Sequence, residues 1–236
     1  MVLIGTKNID MHEERFSPEE LRRKGDPWFF VVEDRTHFAR SFCRGRDVID
    51  APCGAGWTTH EISKVSSRIV GVDVDREAIA SAQRDFRTPN VQFHQMDCLN
   101  LNFPMQSFDV AVSIEAIEHF SASDGVRYIS RLAKVLRPGG MLVGTTPSAP
   151  NPVAAEARRL KEDNPHHLKI YCEQELRQLF APHFDCIWIE DMPFGCFYFV
   201  AHRKLTIKRR ILNFTPLPLR PWLTHVRSWV RALTGV

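Results

Sequence analysis

Residues 48–57 read VIDAPCGAGW. An apolar run of strand length enters a Gly-x-Gly turn, and a helix-compatible stretch follows. Gly54 and Gly56 lack a Cβ, so the backbone there can take positive φ and approach a ligand closely. A helix beginning near Trp57 or Thr58 offers free N–H groups at its start. Gly-x-Gly alone is a weak motif, because many tight turns share it.

Outward from this turn, strands and helices alternate. RDVIDA (46–51), RIVGVD (68–73), VQFHQ (91–95), the strongly apolar FDVAVSI (108–114) and MLVGTT (141–146) read as strands. Residues 57–66 and 76–86 read as helices, as does GVRYISRLAKVL (125–136), with apolar residues at 126, 129, 132, 133 and 136. Pro138-Gly139-Gly140 ends that helix. The alternation predicts a parallel sheet with helices on both faces. After Pro147 the rhythm changes to a short helix around 153–163, a helix over 172–180, and strands over 184–191 and 194–202. The short Met192-Pro193 connection makes the last two antiparallel. The first 45 residues are polar and helical, with a start signal at Ser17-Pro18-Glu19-Glu20 and a turn at Gly25-Asp26-Pro27. The division is therefore 1–45, 46–204 and 205–236.

Composition bounds the function. The chain has 236 residues, 44% hydrophobic and 25% charged, as expected of a soluble globular protein. Disorder, collagen and coiled coil are excluded as the main state. No apolar run reaches the ~18–20 residues that span a bilayer. MVLIGTKNID lacks the pattern of a secretory leader, so a cytoplasmic protein is expected. The six cysteines are scattered without C-x-x-C spacing, which predicts reduced thiols and no disulfide framework or zinc site. No His/carboxylate spacing calls for a metal, and none is expected. Residues 192–236 hold eight Lys or Arg and no Asp or Glu, so an acidic body carries a basic tail.

Asp73 ends the second strand, 19 residues after Gly54. A carboxylate there can accept both hydroxyls of a ribose; the plainer alternative is a solvated strand-end Asp. Asp75 fits the cap of the following helix better. Two ligands compete. A dinucleotide wants a third glycine three residues after Gly56, and that position is Thr59. A pyrophosphate needs the helix N-terminus, which a ligand without phosphates does not.

In order along the chain, VIDAPCGAGW, VGVDVD, QFHQMDCLNLNFPMQSFDVAVSIEAIEHF and LAKVLRPGGMLVGTTPS resemble the blocks of class I S-adenosylmethionine (SAM)-dependent methyltransferases, over roughly 37–202. IEAIEHF, TTPS and NPHHLKIY resemble more narrowly the bacterial glycan and O-antigen-type enzymes, and the ubiquinone-pathway O-methyltransferases share many of these features. Two departures stand out: Pro52 where the motif has a small residue, and Ile170 where the Asn-Pro-x-His segment continues to Glu.

The resemblance implies a Rossmann-like α/β fold, doubly wound, with a mostly parallel seven-stranded sheet and an antiparallel last hairpin. It makes 46–204 the methyltransferase domain and 1–45 a helical lid, with Trp28 and Phe29 chiefly packing. By the same resemblance, Asp50, Cys53, Gly54 and Gly56 form the floor under the methionine part of SAM, with Asp50 attracting its ammonium. Asp73 holds the ribose hydroxyls and Val74 packs on adenine. Asp97 accepts from the adenine amino group, and the Cys98 N–H donates to a ring nitrogen. Glu115 lines the methionine end.

The implied reaction is in-line attack on a sulfonium methyl, where alignment supplies most of the catalysis. A hydroxyl nucleophile gains from a general base, and imidazole has a suitable pKa. His119, just beyond the fourth strand, and His167, in the Asn-Pro-x-His segment, are the catalytic candidates, with His166 beside them. Glu118 reads as a surface charge. The expected function is methyl transfer from SAM to a hydroxyl of a small molecule or glycan, such as a natural product, surface polysaccharide or lipid-linked sugar. An inactive SAM-fold binding protein and an NAD-dependent oxidoreductase are the alternatives, the latter disfavoured by Thr59. SIEAIEH lacks the Asn/Asp-Pro-Pro-aromatic motif for flipped bases, so no specific nucleic-acid partner is expected. In the tail, WLTHVRSWVRAL (222–233) reads as a basic amphipathic helix. Docking on the chain's own body is its preferred role; peripheral contact with the inner face of a membrane and homodimer formation are the alternatives.

Overall fold

The computed structural model describes residues 18–205 except Asp163 and Pro193, and nothing of the Glu19 side chain. The Ser17 cap and the amphipathic tail helix lie outside the described residues. Two helices, α1 (Pro18–Lys24) and α2 (Trp28–Ser41), precede β1 (Asp47–Asp50). Then follow α3 (Trp57–Ser63), β2 (Arg68–Asp73), α4 (Arg76–Asp85), β3 (Val91–Gln95), β4 (Phe108–Ile114), α5 (Ala122–Val135) and β5 (Leu136–Ala149). The chain continues through α6 (Pro152–Lys161), β6 (Tyr171–Cys172), α7 (Glu173–Phe180), β7 (Phe184–Met192) and β8 (Cys196–Arg203).

The sheet order is β3-β2-β1-β4-β5-β8-β7, with β6 pairing β5 off this path. The central strands are parallel, whereas β8 runs antiparallel to both β5 and β7. This is the doubly wound α/β sheet that the alternation predicts. Its strands are apolar on both faces because both are covered. Ile49, Val70, Ala111 and Leu142 join Leu132 of α5 and Phe180 of α7 in one cluster. Their neighbours Val48, Ile69, Val110 and Met141 point the other way, to Phe38 of α2 and Ile62 of α3. Full burial of such a side chain contributes about 1.5–3 kcal/mol.

The α2 helix is fastened to the antiparallel end of the sheet. The Phe38 ring centroid lies 4.9 Å from that of Tyr198 and 6.0 Å from that of Trp188. The Tyr198 hydroxyl donates to Asp34 Oδ2 at 2.6 Å. Trp28, expected to pack, is 41% exposed, because the buried side of α2 starts at Val31.

Three further boundaries differ from expectation. Val126 is 56% exposed, and the apolar face of α5 runs instead through Tyr128, Ile129, Leu132, Ala133 and Val135. Strand β5 starts at Leu136 rather than 141, and the register with β4 shifts between Phe108 and Val110 to take in Pro138-Gly139-Gly140. Cys172 belongs to β6 and caps α7; Glu175 Oε2 accepts its N–H at 3.0 Å. β6 is two residues long, too short for a periodicity to reveal.

The chain reverses its winding between β1 and β4, and a crevice opens there at the strand C-termini, where open α/β sheets bind ligands. Among the described residues, no helix is long and apolar enough to cross a membrane.

Candidate active site

A cavity of about 680 Å³ occupies this crevice, within the range that takes a small ligand. Asp50, Cys53, Gly54, Asp73, Val74, Asp97, Cys98, Glu115 and His119 all line it. Gly56 and His167 are the two sequence-predicted site residues outside the lining.

At the turn, Gly54 has φ +52°, and a Cβ built there would meet no atom within 4 Å. The turn thus leaves open space where any other residue would project. Gly56, with φ +87°, is required for another reason. Its Cβ would fall 2.7 Å from Ala82 Cβ and 2.8 Å from the Phe93 ring, so this glycine lets α4 and β3 close behind the turn. The Gly54 N–H donates to Asp73 Oδ2 at 2.9 Å, and the Asp75 N–H donates to Asp73 Oδ1 at 2.9 Å. Each Asp73 oxygen retains a lone pair for a further donor. Asp75 caps α4, accepting from the N–H groups of Glu77 and Ala78.

Asp50 is buried and accepts from the Thr59 hydroxyl at 2.6 Å. Burial pushes its carboxyl up to about 7; the Thr59 hydrogen bond opposes this and the Asp73 charge adds to it. Thr59 is therefore more than a missing glycine: it holds the Asp50 carboxylate at the end of β1. Val74 is 67% exposed at the cavity edge, an apolar surface open to a flat ligand. Asp97 caps a short 3-10 turn, accepting from Leu99 N–H at 2.8 Å and Asn100 Nδ2 at 2.7 Å.

Glu115, just past β4, has φ +44°. Its Oε1 accepts from the Thr145 hydroxyl at 2.8 Å, and its Oε2 lies 3.1 Å from Arg35 Nη2. Arg35 belongs to α2, and its side chain is 11% exposed. Burial works against its charge, but the Glu115 carboxylate outweighs that and holds the guanidinium pKa above its ordinary value. No signal near either residue announces this pair.

The cavity is also lined by His119, Phe120, Pro165, His166 and Leu168. The His119 and His167 rings meet edge to face with centroids 5.1 Å apart. His166 is exposed on the lining, whereas His167 turns inward, where its Nδ1 lies 2.6 Å from Glu162 Oε2. Glu118 is not a surface charge: it is fully buried. The segment after Pro165 crosses over it, and the N–H groups of Leu168 and Lys169 donate to its carbonyl oxygen at 2.8 and 3.1 Å. Glu118, His119 and His167 each bring a potential ligand atom to within 4.8 Å of the others, a grouping their spacing does not suggest.

The residues present fit SAM. Glu115 and Asp50 bring two carboxyl groups to the cavity, and an ammonium placed there would favour the ionised form of Asp50. Asp73 retains acceptor capacity for a diol, Val74 offers an apolar surface, and Gly54 leaves open space beside them.

Comparisons with known proteins agree with this geometry. Residues 48–140 match the family described as "Methyltransferase domain". A probable S-adenosylmethionine-dependent methyltransferase of Mycolicibacterium smegmatis is 34% identical over 137 residues, covering 58% of this chain and 51% of the relative. A ubiquinone biosynthesis O-methyltransferase of Bradyrhizobium is 30% identical over 111 residues, covering 43% of this chain and 40% of the relative. The chain thus spans about half the length of the curated relatives it matches. The crystal structure of a SAM-dependent methyltransferase from Methanosarcina mazei superposes with a TM-score of 0.56 at 22% identity, covering 70% of this chain and 96% of that one, a likeness of fold. Residues 48–140 match a methyltransferase domain, and the chain has the fold of SAM-dependent methyltransferases, enzymes whose cofactor is SAM.

Proposed function

We propose that this protein transfers a methyl group from SAM to a hydroxyl of a small molecule or glycan. The observation that carries the reading is the placement of His119 on the same cavity as Asp50, Gly54, Asp73 and Glu115, with the His167 ring packed against it. Bound SAM supplies a methyl group on a sulfonium whose neutral thioether leaves without acid assistance. The chain's own task is then to hold and align. Asp73 would take the ribose hydroxyls, and Asp50 and Glu115 would face the amino-acid end. Val74 would pack on adenine, with Asp97 and the Cys98 N–H reading its edge. Cys53 and the Gly54–Gly56 turn would form the floor.

A hydroxyl held at His119 would give up its proton as its oxygen bonds to the methyl carbon and the sulfur–carbon bond breaks. General-base assistance of this kind is worth about 10²–10⁴-fold. The ubiquinone-pathway relative, an O-methyltransferase by name, is consistent with an oxygen nucleophile.

The test is incubation of the full chain with methyl-labelled SAM and panels of hydroxyl and amine acceptors, glycans and lipid-linked sugars included. The expected result is an O-methyl ether, with turnover lowered ~100-fold or more in His119→Ala while SAM still binds. Label found only on nitrogen, or full turnover by His119→Ala, would contradict the reading.

A further inference from the structure

The cavity opens at the C-terminal ends of the parallel strands. The other edge of the sheet carries a group of cations that the reaction does not use. There β8 ends at Arg203, level with Phe184 at the start of β7. The Lys204 N–H donates to the His183 carbonyl oxygen at 3.1 Å and fastens this end. Burial, and then the charges of Arg203, Lys204 and Lys134, hold the His183 imidazole pKa below its ordinary value. On the other face of β8, burial and then the charge of Arg46 do the same to His202. Basic side chains thus surround the end of β8 on both faces.

Little answers this charge. Arg203 is half-buried, and its Nε has no acceptor among the described residues. Burial lowers its pKa, and among those residues no carboxylate opposes the shift. Asp47 and Asp109 are engaged by Arg137, at 3.0 and 2.6 Å. Asp185 stands opposite His202 in the β7–β8 register. Lys134 lies in the last turn of α5, where the helix dipole favours a cation. That account does not extend to Arg203 and Lys204, which end a strand. A neutral residue at 203 would avoid the cost of half-burying an unpaired guanidinium. The arrangement makes sense if an anion completes it.

The chain that continues from this edge indicates which anion. Leu205 lies over the entry to β5, where a Cβ built on Gly139 would fall 2.8 Å from Leu205 Cδ2. From there the sequence runs into 206–236, which hold Lys208, Arg209, Arg210, Arg220, Arg227 and Arg231 and no Asp or Glu. Tail and edge carry the same sign, so charge does not hold one against the other, whereas an extended anionic surface attracts both. Trp222 and Trp229 stand among Leu223, Val226, Val230 and Leu233. A bilayer interface takes up such apolar side chains, and the phosphate backbone of a nucleic acid does not need them. We propose that this edge, together with the tail that continues from it, binds the phosphate headgroups of an anionic lipid bilayer. Headgroup phosphates meet the chain at Arg203, Lys204 and Lys134. The cavity then faces away from the bilayer, beyond β4, whose seven residues span roughly 23 Å. The membrane contact goes beyond the proposed methyl transfer and does not depend on it.

The test is co-sedimentation of the full chain with vesicles of phosphatidylcholine alone, and of phosphatidylcholine mixed with phosphatidylglycerol, at low and high salt. Wild type is expected to bind the anionic vesicles at least about tenfold more tightly than the neutral ones, and salt to weaken that binding. A charge near such a surface is worth roughly fivefold in affinity. Lys134→Gln/Lys204→Gln, at two exposed positions, should therefore bind about 25-fold more weakly, and the triple variant with Arg203→Gln about 100-fold. Melting temperatures show that the exposed pair leaves the fold intact. Wild type that ignores anionic vesicles or binds neutral ones equally well, or a folded double variant that binds like wild type, would overturn the inference. So would calorimetric binding of inorganic phosphate by a chain that leaves vesicles alone, or an RNA oligonucleotide that strips the chain from the vesicles at equal phosphate concentration.

Discussion

Asp73 Oδ2 accepts the backbone N–H of Gly54 at 2.9 Å, joining the end of β2 to the turn that follows β1. The other Asp73 oxygen accepts the Asp75 N–H at 2.9 Å. One carboxylate thus fixes two loops and still has acceptor capacity facing the cavity. Asp73→Asn would turn an amide NH₂ against one of these two backbone donors. Chemical denaturation should register a loss of about 1–3 kcal/mol. An unchanged midpoint would mean that neither bond contributes to stability.

The two turn glycines should fail differently. Gly54→Ala incurs the left-handed backbone strain of about 1–2 kcal/mol and puts a methyl group toward open space, so its main defect should appear in SAM affinity. Gly56→Ala adds overpacking against Ala82 and Phe93, for a total near 2–5 kcal/mol. Thermal melting of the two variants side by side checks this, and equal melting temperatures would contradict it.

Asp50 gives a pH signature. Burial raises its folded pKa to about 7, above an ordinary value near ~3.9. Because the folded pKa is the higher one, the stability linked to this proton is fully present below the ordinary value. It is lost as pH rises through about 7. Asp50→Asn should therefore flatten the fall in stability across that interval. A ligand ammonium favours the ionised carboxyl, so SAM binding near pH 6 should release a proton. Calorimetry in buffers of different ionisation enthalpy measures the release, which should vanish in Asp50→Asn.

The Arg35–Glu115 pair couples α2 to the cavity wall at 3.1 Å. Arg35→Met strands a largely buried carboxylate and should destabilise the fold by roughly 2–4 kcal/mol, with part of the loss recovered in Arg35→Met/Glu115→Gln. Denaturation of the double-mutant cycle tests this; strictly additive losses would show that the two side chains do not interact.

Much of the frame is legible because it depends on local pattern. RIVGVD, VQFHQ and FDVAVSI form strands over their full predicted spans, and Asp73 stands at a strand terminus facing the crevice. What stays hidden is set by contacts distant in sequence. Glu118 looks like a surface charge beside His119 until Leu168 and Lys169 cross over it. Arg35 lies in a polar helix that shows no sign of its partner 80 residues on. Gly56 suggests ligand approach, whereas Ala82 and Phe93 crowd the space its Cβ would take.

The most direct test of the account is calorimetric titration of S-adenosylhomocysteine, the demethylated product, into wild type and Asp73→Ala. The account predicts one site per wild-type chain and an affinity about 10–100-fold lower in the variant, the worth of hydrogen bonds to a charged group. A wild-type chain that takes up none, or a variant that binds equally well, would contradict it.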